Sequence, residues 1–244
     1  MDWYEEFFEG DWLYVHRHMW DAAQTDRQVQ GIRRLLALQP RSRILDVPCG
    51  EGRHSIGLGA AGFHVTGIDR SEALLADARR NAEAAHVDLD LRQGDMRDIA
   101  EEDIFDAALN MWGSFGYFDD RGNEDFATAV CRALKRRGKL LIDTHTVESL
   151  MPQFAERGWH EVAGVKVLEE RRYDDRNGRI ESTWTIIRDG HESMRHASIR
   201  LYSLPELRRL LERAGFDDVR ACGSLDGEAF APGARRAYIV AEKR

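Results

Sequence analysis

Apolar and polar residues follow two different periodicities along the middle of this chain. Short runs of mostly apolar residues predict buried parallel strands, and the stretches beside them, in which apolar residues recur every three or four positions, predict helices. The predicted strands are residues 44–47, 63–68, 87–91, 105–110 and 139–145. The predicted helices are residues 26–38, 53–61, 71–82 and 123–135. Strands that alternate with helices predict an α/β fold with a doubly wound parallel sheet.

A different pattern, of strand-like runs joined by tight turns, follows nearer the C-terminus. Two dipeptides, Asn177-Gly178 and Asp189-Gly190, favour tight hairpin turns between longer strand-like runs. The runs are residues 165–173, 179–188 and 191–201. Three consecutive hairpin strands cannot belong to a parallel core, so they predict an inserted antiparallel sheet. After it, a capping box at residues 203–206 predicts a helix, and residues 216–222 and 236–241 predict two closing strands.

The composition excludes several classes of protein. The chain has 35 Lys and Arg against 43 Asp and Glu, a formal net charge of −8, which argues against broad electrostatic binding of nucleic acid. The sequence lacks an apolar run long enough to span a membrane, and its first residues are acidic and aromatic, unlike a signal peptide. Three scattered cysteines, Cys49, Cys131 and Cys222, predict neither a disulfide framework nor a metal site. A cytoplasmic setting is therefore expected.

The residues that follow the first predicted strand carry the clearest chemistry. Asp46 lies in that strand, and Gly50 and Gly52 lie in a tight loop before the next helix. A backbone without Cβ can approach a ligand closely, and N–H groups gather at a helix N-terminus. Asp69 follows the second strand, about 20 residues beyond the loop, where an acid can accept hydrogen bonds from ribose hydroxyls. This arrangement predicts a site for a nucleoside cofactor.

The spacing of the loop distinguishes between cofactors. The dinucleotide fingerprint G-x-G-x-x-G requires a third glycine where this chain has Ser55, and Asp46 would repel a pyrophosphate. The run from Asp46 to Gly52, D-x-x-C-G-x-G, followed by the G-I-D sequence that ends at Asp69, resembles motif I and its acidic partner in class I S-adenosylmethionine (AdoMet) methyltransferases. The resemblance covers residues 41–144. An NAD-dependent dehydrogenase is therefore excluded.

This resemblance implies a Rossmann-like, doubly wound, seven-stranded sheet, with AdoMet as the cofactor and S-adenosyl-L-homocysteine as the product. It places the cofactor along the motif I loop and at the ends of the neighbouring strands. The cofactor residues that it implies are Asp46, Cys49, Gly50, Gly52, Arg53, Asp69, Arg70, Asp95, Met96, Asn110 and Trp112. Among them, Asp95 and Met96 match the motif that contacts adenine.

The loop after the strand at residues 105–110 should face the transferring methyl group, because ligands lie beyond the carboxyl ends of parallel strands. Tyr117 in this loop and His145 after the fifth strand are the candidate catalytic residues, since either could assist removal of a proton from the acceptor. A structural role for His145 remains an open alternative. Metal ligands are not expected.

The same loop distinguishes between substrates. Enzymes that methylate adenine or glutamine amides carry N-P-P-Y or D-P-P-Y where this chain has N-M-W-G from Asn110, and its Pro48-Cys49 pair lies in the cofactor loop, not in the position of a cytosine C5 nucleophile. Residues 111–117 resemble small-molecule N-methyltransferases, including aminosugar dimethyltransferases of antibiotic pathways. A small-molecule acceptor, methylated on nitrogen or oxygen, is expected. An O-methyltransferase, a protein or RNA methyltransferase and a non-catalytic AdoMet-binding module are the alternatives.

These patterns predict three parts of the chain. Residues 1–40 form an N-terminal helical cap rich in aromatic side chains, and residues 153–201 form the inserted antiparallel β lid. Residues 41–152 and 202–244 form the AdoMet-binding domain. Because class I enzymes often close their site with N-terminal segments, Tyr14 is the expected cofactor contact from the cap. The oligomeric state, monomer or homodimer, stays open.

Overall fold

The computed structural model describes residues 2–244. Its helices are α1 (Trp3–Glu6), α2 (Asp11–His18), α3 (Ala22–Leu36), α4 (Arg53–Ala60), α5 (Glu72–Ala84), α6 (Asp120–Ala133), α7 (Val147–Leu150) and α8 (Leu204–Arg213). Its strands are β1 (Arg43–Asp46), β2 (His64–Asp69), β3 (Asp90–Gln93), β4 (Phe105–Asn110), β5 (Leu134–Thr144), β6 (Arg157–Val162), β7 (Val165–Asp174), β8 (Arg179–Arg188), β9 (His191–Arg200), β10 (Phe216–Cys222) and β11 (Ala237–Lys243). Within this range, each helix is too short or too polar to cross a membrane.

The main sheet has seven strands in the order β10-β11-β5-β4-β1-β2-β3. Strands β1 to β5 pair in parallel, and β11 runs antiparallel to both β5 and β10. In β1, the consecutive residues Ile44 and Leu45 are fully buried in two different apolar cores, because successive side chains of a strand point to opposite faces. The sheet is therefore packed on both faces, and the predicted doubly wound α/β architecture is confirmed.

Four further strands form a separate antiparallel sheet in the order β6-β7-β8-β9, here called the lid sheet. Positive φ angles at Gly178, Asp189 and Gly190 form the two predicted turns. The prediction missed β6, which pairs with β7. Side chains in β6 alternate only between exposed and half-buried positions, so its sequence lacks the apolar run that would identify a strand.

The boundary between α6 and β5 differs from the prediction. The basic residues 135–137 and Gly138 were expected to end the helix, but α6 ends at Ala133 and these residues begin β5. Pairing with β4 explains the difference, because Phe105 lies opposite Leu134 while Ala107 lies opposite Lys139. A register shift there absorbs the extra residues and draws the basic segment into the sheet.

The first two helices, residues 2–19, lie between the lid sheet and the main sheet and are called the cap below. The predicted cap of residues 1–40 also includes α3, but the buried residues of α3 pack against the main sheet. The ring of Phe7 lies 5.5 Å from that of Trp184 on β8, and Trp12 is almost completely buried. On the other side, Arg17 Nε donates to Asp77 Oδ2 of α5 at 2.7 Å. The cap therefore has an apolar anchor on the lid sheet and a polar anchor on the main domain.

Candidate active site

A cavity of about 570 Å³ lies at the carboxyl ends of the parallel strands, beneath the N-terminal cap. The loops that follow β1, β2, β3 and β4 line one side, and cap residues between Tyr4 and His16 line the other. This is the edge of the sheet, next to the reversal of strand order, at which α/β proteins bind ligands.

The glycine loop after β1 forms the floor of the cavity. Gly50 has φ +56°, and a Cβ there would meet no atom within 4 Å among the described residues, so its backbone faces open space. Gly52 has φ +79° and is the N-cap residue of α4, and a Cβ there would lie 3.0 Å from Ala78 Cβ. Glycine at the first position leaves the backbone accessible to a ligand, and glycine at the second allows α4 and α5 to pack closely.

Asp69, the last residue of β2, is joined to this loop. Its Oδ2 accepts the N–H of Gly50 at 2.8 Å and its Oδ1 accepts the N–H of Ser71 at 2.8 Å. Burial raises the pKa of Asp69, while these backbone hydrogen bonds act in the opposite direction. The carboxylate lines the cavity, where each oxygen retains a lone pair for a hydroxyl of a bound molecule.

Asp46 and Asn110 lie beneath the loop and not in the cavity wall. Asp46 Oδ2 accepts the hydroxyl of Ser55 at 2.6 Å, and burial raises the pKa of Asp46 to about 7. Asn110 donates to the carbonyl of Val47 at 2.9 Å, and its Oδ1 is buried without a partner among the described residues. Both side chains support the loop from below.

Two further loop residues line the cavity beside Gly50. The thiol of Cys49 is buried, and this burial, together with Asp46 and Asp69, raises its pKa, so it remains protonated. Burial lowers the pKa of Arg53 to about 10, and its guanidinium lies 4.3 Å from the ring centre of Trp20. Arg53 therefore retains its charge at neutral pH.

Beyond β3, Asp95 and Met96 line the cavity together with Arg70. Asp95 Oδ1 accepts Arg97 Nε at 2.9 Å and its Oδ2 accepts Arg97 Nη2 at 2.7 Å. Burial alone would raise the pKa of Asp95, but the hydrogen bonds from Arg97 lower it. Arg70 also pairs with Glu5 of the cap, which joins the cap to this end of the cavity.

The loop after β4 brings two predicted residues into the wall, Trp112 and Tyr117. Trp112 has φ +60°, and its N–H donates to Asp143 Oδ2 at 3.1 Å. Burial raises the pKa of Tyr117 well above its usual value, and its hydroxyl lies 3.5 Å from Ser114 Oγ. The phenol is therefore neutral and suited to donating a hydrogen bond.

The structure places His145 and Tyr14 away from the cavity. His145 Nε2 lies 3.2 Å from Arg236 Nη1, and burial, with Arg236 as the second cause, lowers the pKa of His145 to about 3. The ring of Tyr14 lies 4.4 Å from that of His18 and packs against the guanidinium of Arg188, 3.8 Å from its ring centre. The predicted cofactor residue Gly52 is not in the cavity wall either, and its contribution is to the close packing of α4 on α5.

Sequence reasoning assigned none of the cap residues in the wall to the site. Tyr4, Phe8, Glu9, Trp12 and His16 line the cavity, as does Glu51 of the glycine loop. The available signal was helical spacing in α2, where Trp12, Val15 and His16 recur on one face and are buried together. Asp143 and Arg236, which support the Trp112 loop from behind, depend on a contact distant in sequence.

Comparison with known proteins agrees with this geometry. A family model described as a methyltransferase domain matches residues 44–138. YqeM of Bacillus subtilis (strain 168), which is named as a methyltransferase, is 30% identical over 224 residues, covering 85% of this chain and 86% of its own. A solved S-adenosylmethionine-dependent methyltransferase from Clostridium acetobutylicum ATCC 824 has a TM-score of 0.78 at 16% identity, covering 93% of this chain and 94% of its own. CalS10, an amino pentose methyltransferase from Micromonospora echinaspora with SAM bound, has a TM-score of 0.69 at 20% identity, covering 97% and 98%.

The strand order, the glycine loop after β1 and the acid at the end of β2 define a Rossmann-like enzyme with a nucleoside cofactor. The chain belongs to the class I S-adenosylmethionine-dependent methyltransferases, and AdoMet is its cofactor. The residues present fit that cofactor, because Gly50 leaves the floor of the cavity open and Asp69 in its wall has a carboxylate, a group that accepts hydrogen bonds from hydroxyls. The predicted family and cofactor are confirmed.

Proposed function

We propose that this methyltransferase transfers the methyl group to a nitrogen of a small-molecule amine. The observation that carries the proposal is the composition of the wall that the cap contributes. The rings of Tyr4, Phe8 and Trp12 line it together with Glu9, while Glu5 beside them is paired with Arg70. Aromatic faces and carboxylates both attract a cation in a partly dry pocket, so this wall suits an ammonium group.

The cofactor contacts follow as part of the same proposal. Asp69 accepts the ribose hydroxyls, Asp95 and Met96 hold the adenine with Arg70 beside them, and Cys49, Gly50 and Arg53 contact the remainder of the molecule. Asp46 and Asn110 position the glycine loop from below. Trp112 presents an aromatic face near the sulfonium, where a cation is favoured.

When bound, AdoMet supplies a methyl group on a positively charged sulfur. The protein therefore has to hold an acceptor nitrogen in line with that methyl group, at roughly 3 Å, which can supply most of the acceleration. The phenol of Tyr117 suits an orienting role, because its oxygen can accept a hydrogen bond from an N–H of the acceptor and leave the nitrogen lone pair free. The cap restricts access of water to the cavity.

The comparisons support an amine acceptor in one respect. CalS10 shares the fold over nearly the whole chain, and its name describes an amino pentose as its substrate. The amino pentose is the substrate of CalS10 and is not assigned to this chain. For this chain, the acidic and aromatic cap is the independent reason for choosing nitrogen over oxygen.

The test is transfer of a labelled methyl group to acceptors matched in skeleton, such as glucosamine with glucose and glycine with glycolate. We expect label in the amine of a pair and none in its hydroxyl partner, with N-methylation confirmed by mass spectrometry. Transfer to hydroxyl acceptors alone would replace the proposal with an O-methyltransferase. Label found only in protein or RNA would show that the acceptor is a macromolecule.

A further inference from the structure

A histidine of the cap and a glutamate of the glycine loop meet inside the cavity. His16 Nδ1 lies 3.2 Å from Glu51 Oε2, although the two residues come from α2 and from the loop after β1. Both side chains are nearly buried, with 8% and 12% of their surface exposed, and both line the cavity. Neither residue has a role in the site as described so far.

The ring of His16 is held in one plane. Trp12, one helical turn earlier, stacks on it with ring centres 4.5 Å apart and an angle of 22° between the planes. Trp112, in the loop expected to face the methyl group, lies 5.3 Å away. The imidazole is therefore fixed by a stacked indole and a carboxylate, close to the loop that follows β4.

The contact with Glu51 determines which ring nitrogen is free. A carboxylate oxygen accepts a hydrogen bond, so Nδ1 carries the proton and Nε2 carries the lone pair. Among the described residues, Nε2 makes no hydrogen bond, and it is not sealed from solvent. Because the residue lines the cavity, this lone pair is accessible to a molecule bound there.

We propose that His16 is the general base of the methyl transfer and that Glu51 is its positioning residue. The inference rests on the proposed function, because an amine acceptor reaches the cavity as an ammonium ion and must lose a proton. In the reaction, His16 Nε2 first takes a proton from the ammonium, which frees the nitrogen lone pair, and the resulting imidazolium donates through Nδ1 to Glu51. The lone pair then forms the N–CH3 bond as the S–CH3 bond breaks, sulfur keeps the electrons of the broken bond, and His16 releases its proton to water.

The other candidate bases are less well placed. Tyr117 lines the cavity, but its raised pKa keeps it a phenol that has no free negative charge to accept a proton. His145 lies outside the cavity and is paired with Arg236. The cavity wall that includes His16 has more acids than arginines, with Glu9, Glu51 and Asp69 among the acids, so it attracts a positively charged acceptor towards this base.

The first experiment reads the tautomer directly and needs no acceptor. In protein with 15N-labelled histidine and bound S-adenosylhomocysteine, we expect His16, assigned by its absence in His16→Gln, to show a protonated Nδ1 and an unprotonated Nε2. Glu51→Ala removes the acceptor, so the preference for a protonated Nδ1 should be lost and Nε2 should become partly protonated. A wild-type His16 protonated on Nε2 would overturn the proposal.

The second experiment uses the amine that the wild-type enzyme methylates fastest. We expect kcat at neutral pH to fall by about 10²-fold or more in His16→Gln and in Glu51→Ala, the usual effect of losing a general base or its correct tautomer. The loss should shrink at higher pH, where the acceptor is already deprotonated. His18→Gln, two residues along the same helix and outside the cavity, is the matched control and should retain wild-type kcat.

Calorimetry with S-adenosylhomocysteine distinguishes catalysis from cofactor binding. We expect each variant to bind within about threefold of wild type. If affinity falls in step with kcat, His16 and Glu51 hold the cofactor and the base is elsewhere. Unchanged kcat in both variants would refute the inference while leaving N-methylation intact, whereas a wild-type enzyme that methylates only hydroxyls would refute the proposed function instead.

Discussion

The carboxylate of Asp143 accepts the main-chain N–H of Trp112 at 3.1 Å, and the carbonyl of the same aspartate accepts the N–H of Gly113 at 2.8 Å. The carboxylate also pairs with Arg236, at the start of the last strand. Asp143 therefore joins the loop beside the cavity to the core of β5. Trp112 has a positive φ, and these contacts stabilise that conformation.

Breaking this pair should destabilise the protein. Asp143→Ala leaves the half-buried guanidinium of Arg236 without its carboxylate, so we expect a loss of about 3 kcal/mol in the free energy of unfolding. The double variant Asp143→Ala with Arg236→Gln leaves no unpaired charge and should recover part of that loss relative to the two single variants. Urea unfolding measures each value. Additive effects of the single substitutions would show that the two residues are not coupled.

Asp69→Asn should weaken AdoMet binding. The amide oxygen can accept only one of the two backbone N–H groups, of Gly50 and Ser71, that the carboxylate accepts, and the side chain loses the charge that strengthens hydrogen bonds from ribose hydroxyls. We expect affinity to fall by about 10²-fold, or roughly 3 kcal/mol. Isothermal titration measures it, with Asp88→Asn, an exposed aspartate outside the cavity, as the control. Equal affinity for the two variants would contradict the ribose assignment.

Asp46 predicts an unusual dependence of stability on pH. Burial raises its pKa in the folded protein to about 7 from 3.8, so the folded state binds the proton more tightly than the unfolded state. The contribution of this group is fully present below pH 3.8 and is lost as the pH rises to about 7. The variant Asp46→Asn has no group that ionises here, so it does not lose stability in this way. Its Oδ1 can still accept the hydroxyl of Ser55. Its stability relative to wild type should rise across this window, by at most about 1.4 kcal/mol per pH unit, in urea unfolding at fixed ionic strength. A difference that stays constant with pH would contradict the raised pKa.

His145 should act on stability and not on turnover. Because burial lowers its pKa to about 3, the folded state binds this proton less tightly than the unfolded state, and stability falls as the pH drops below 6.5. His145→Gln should remove this dependence of stability on pH. Wild type should therefore lose stability relative to the variant as the pH falls. We expect kcat for the variant within about threefold of wild type, since the ring lies outside the cavity. A loss of turnover without a loss of stability would restore a catalytic role for His145.

Local signals in the sequence were sufficient for much of the fold. The glycine loop, the acid at Asp69 and the two hairpin turns each depend on residues that are neighbours in sequence. The end of α6 could not be found in this way, because pairing between Leu134 and Phe105 decides it. The prediction also missed β6, since its identity as a strand depends on β7 and not on its own apolar pattern.

In the candidate site too, some features follow from neighbouring residues in the sequence and others depend on distant contacts. Tyr14 and His16 lie two positions apart in α2, which places them about 200° apart around the helix axis, so only one can face the cavity. The buried spacing of Trp12, Val15 and His16 indicates which one it is. The pair formed by His16 and Glu51 depends on how the cap docks, which a single sequence does not reveal.

Docking of the cap should depend on Trp12, because this residue packs in the apolar cluster shared with the lid sheet and also lines the cavity. It is almost completely buried, with its ring 5.8 Å from that of Phe7 and 4.5 Å from that of His16. Trp12→Ala should cost about 3 kcal/mol or more in packing. The cap has fewer contacts than the central sheet, so we expect most of this cost to appear as local opening.

Limited trypsin digestion and ligand binding measure this opening together. In Trp12→Ala, cleavage after the exposed Arg17 should accelerate by at least about tenfold, because about 1.4 kcal/mol of local destabilisation already changes an opening equilibrium by that factor. S-adenosylhomocysteine should protect this bond in wild type and protect it less in the variant, since the cap lines the cavity. Trp159→Ala removes an indole that is 70% exposed on the lid sheet and should change neither measurement. If Trp12→Ala unfolds the whole domain in one transition, the cap is an integral part of the core and cannot open separately.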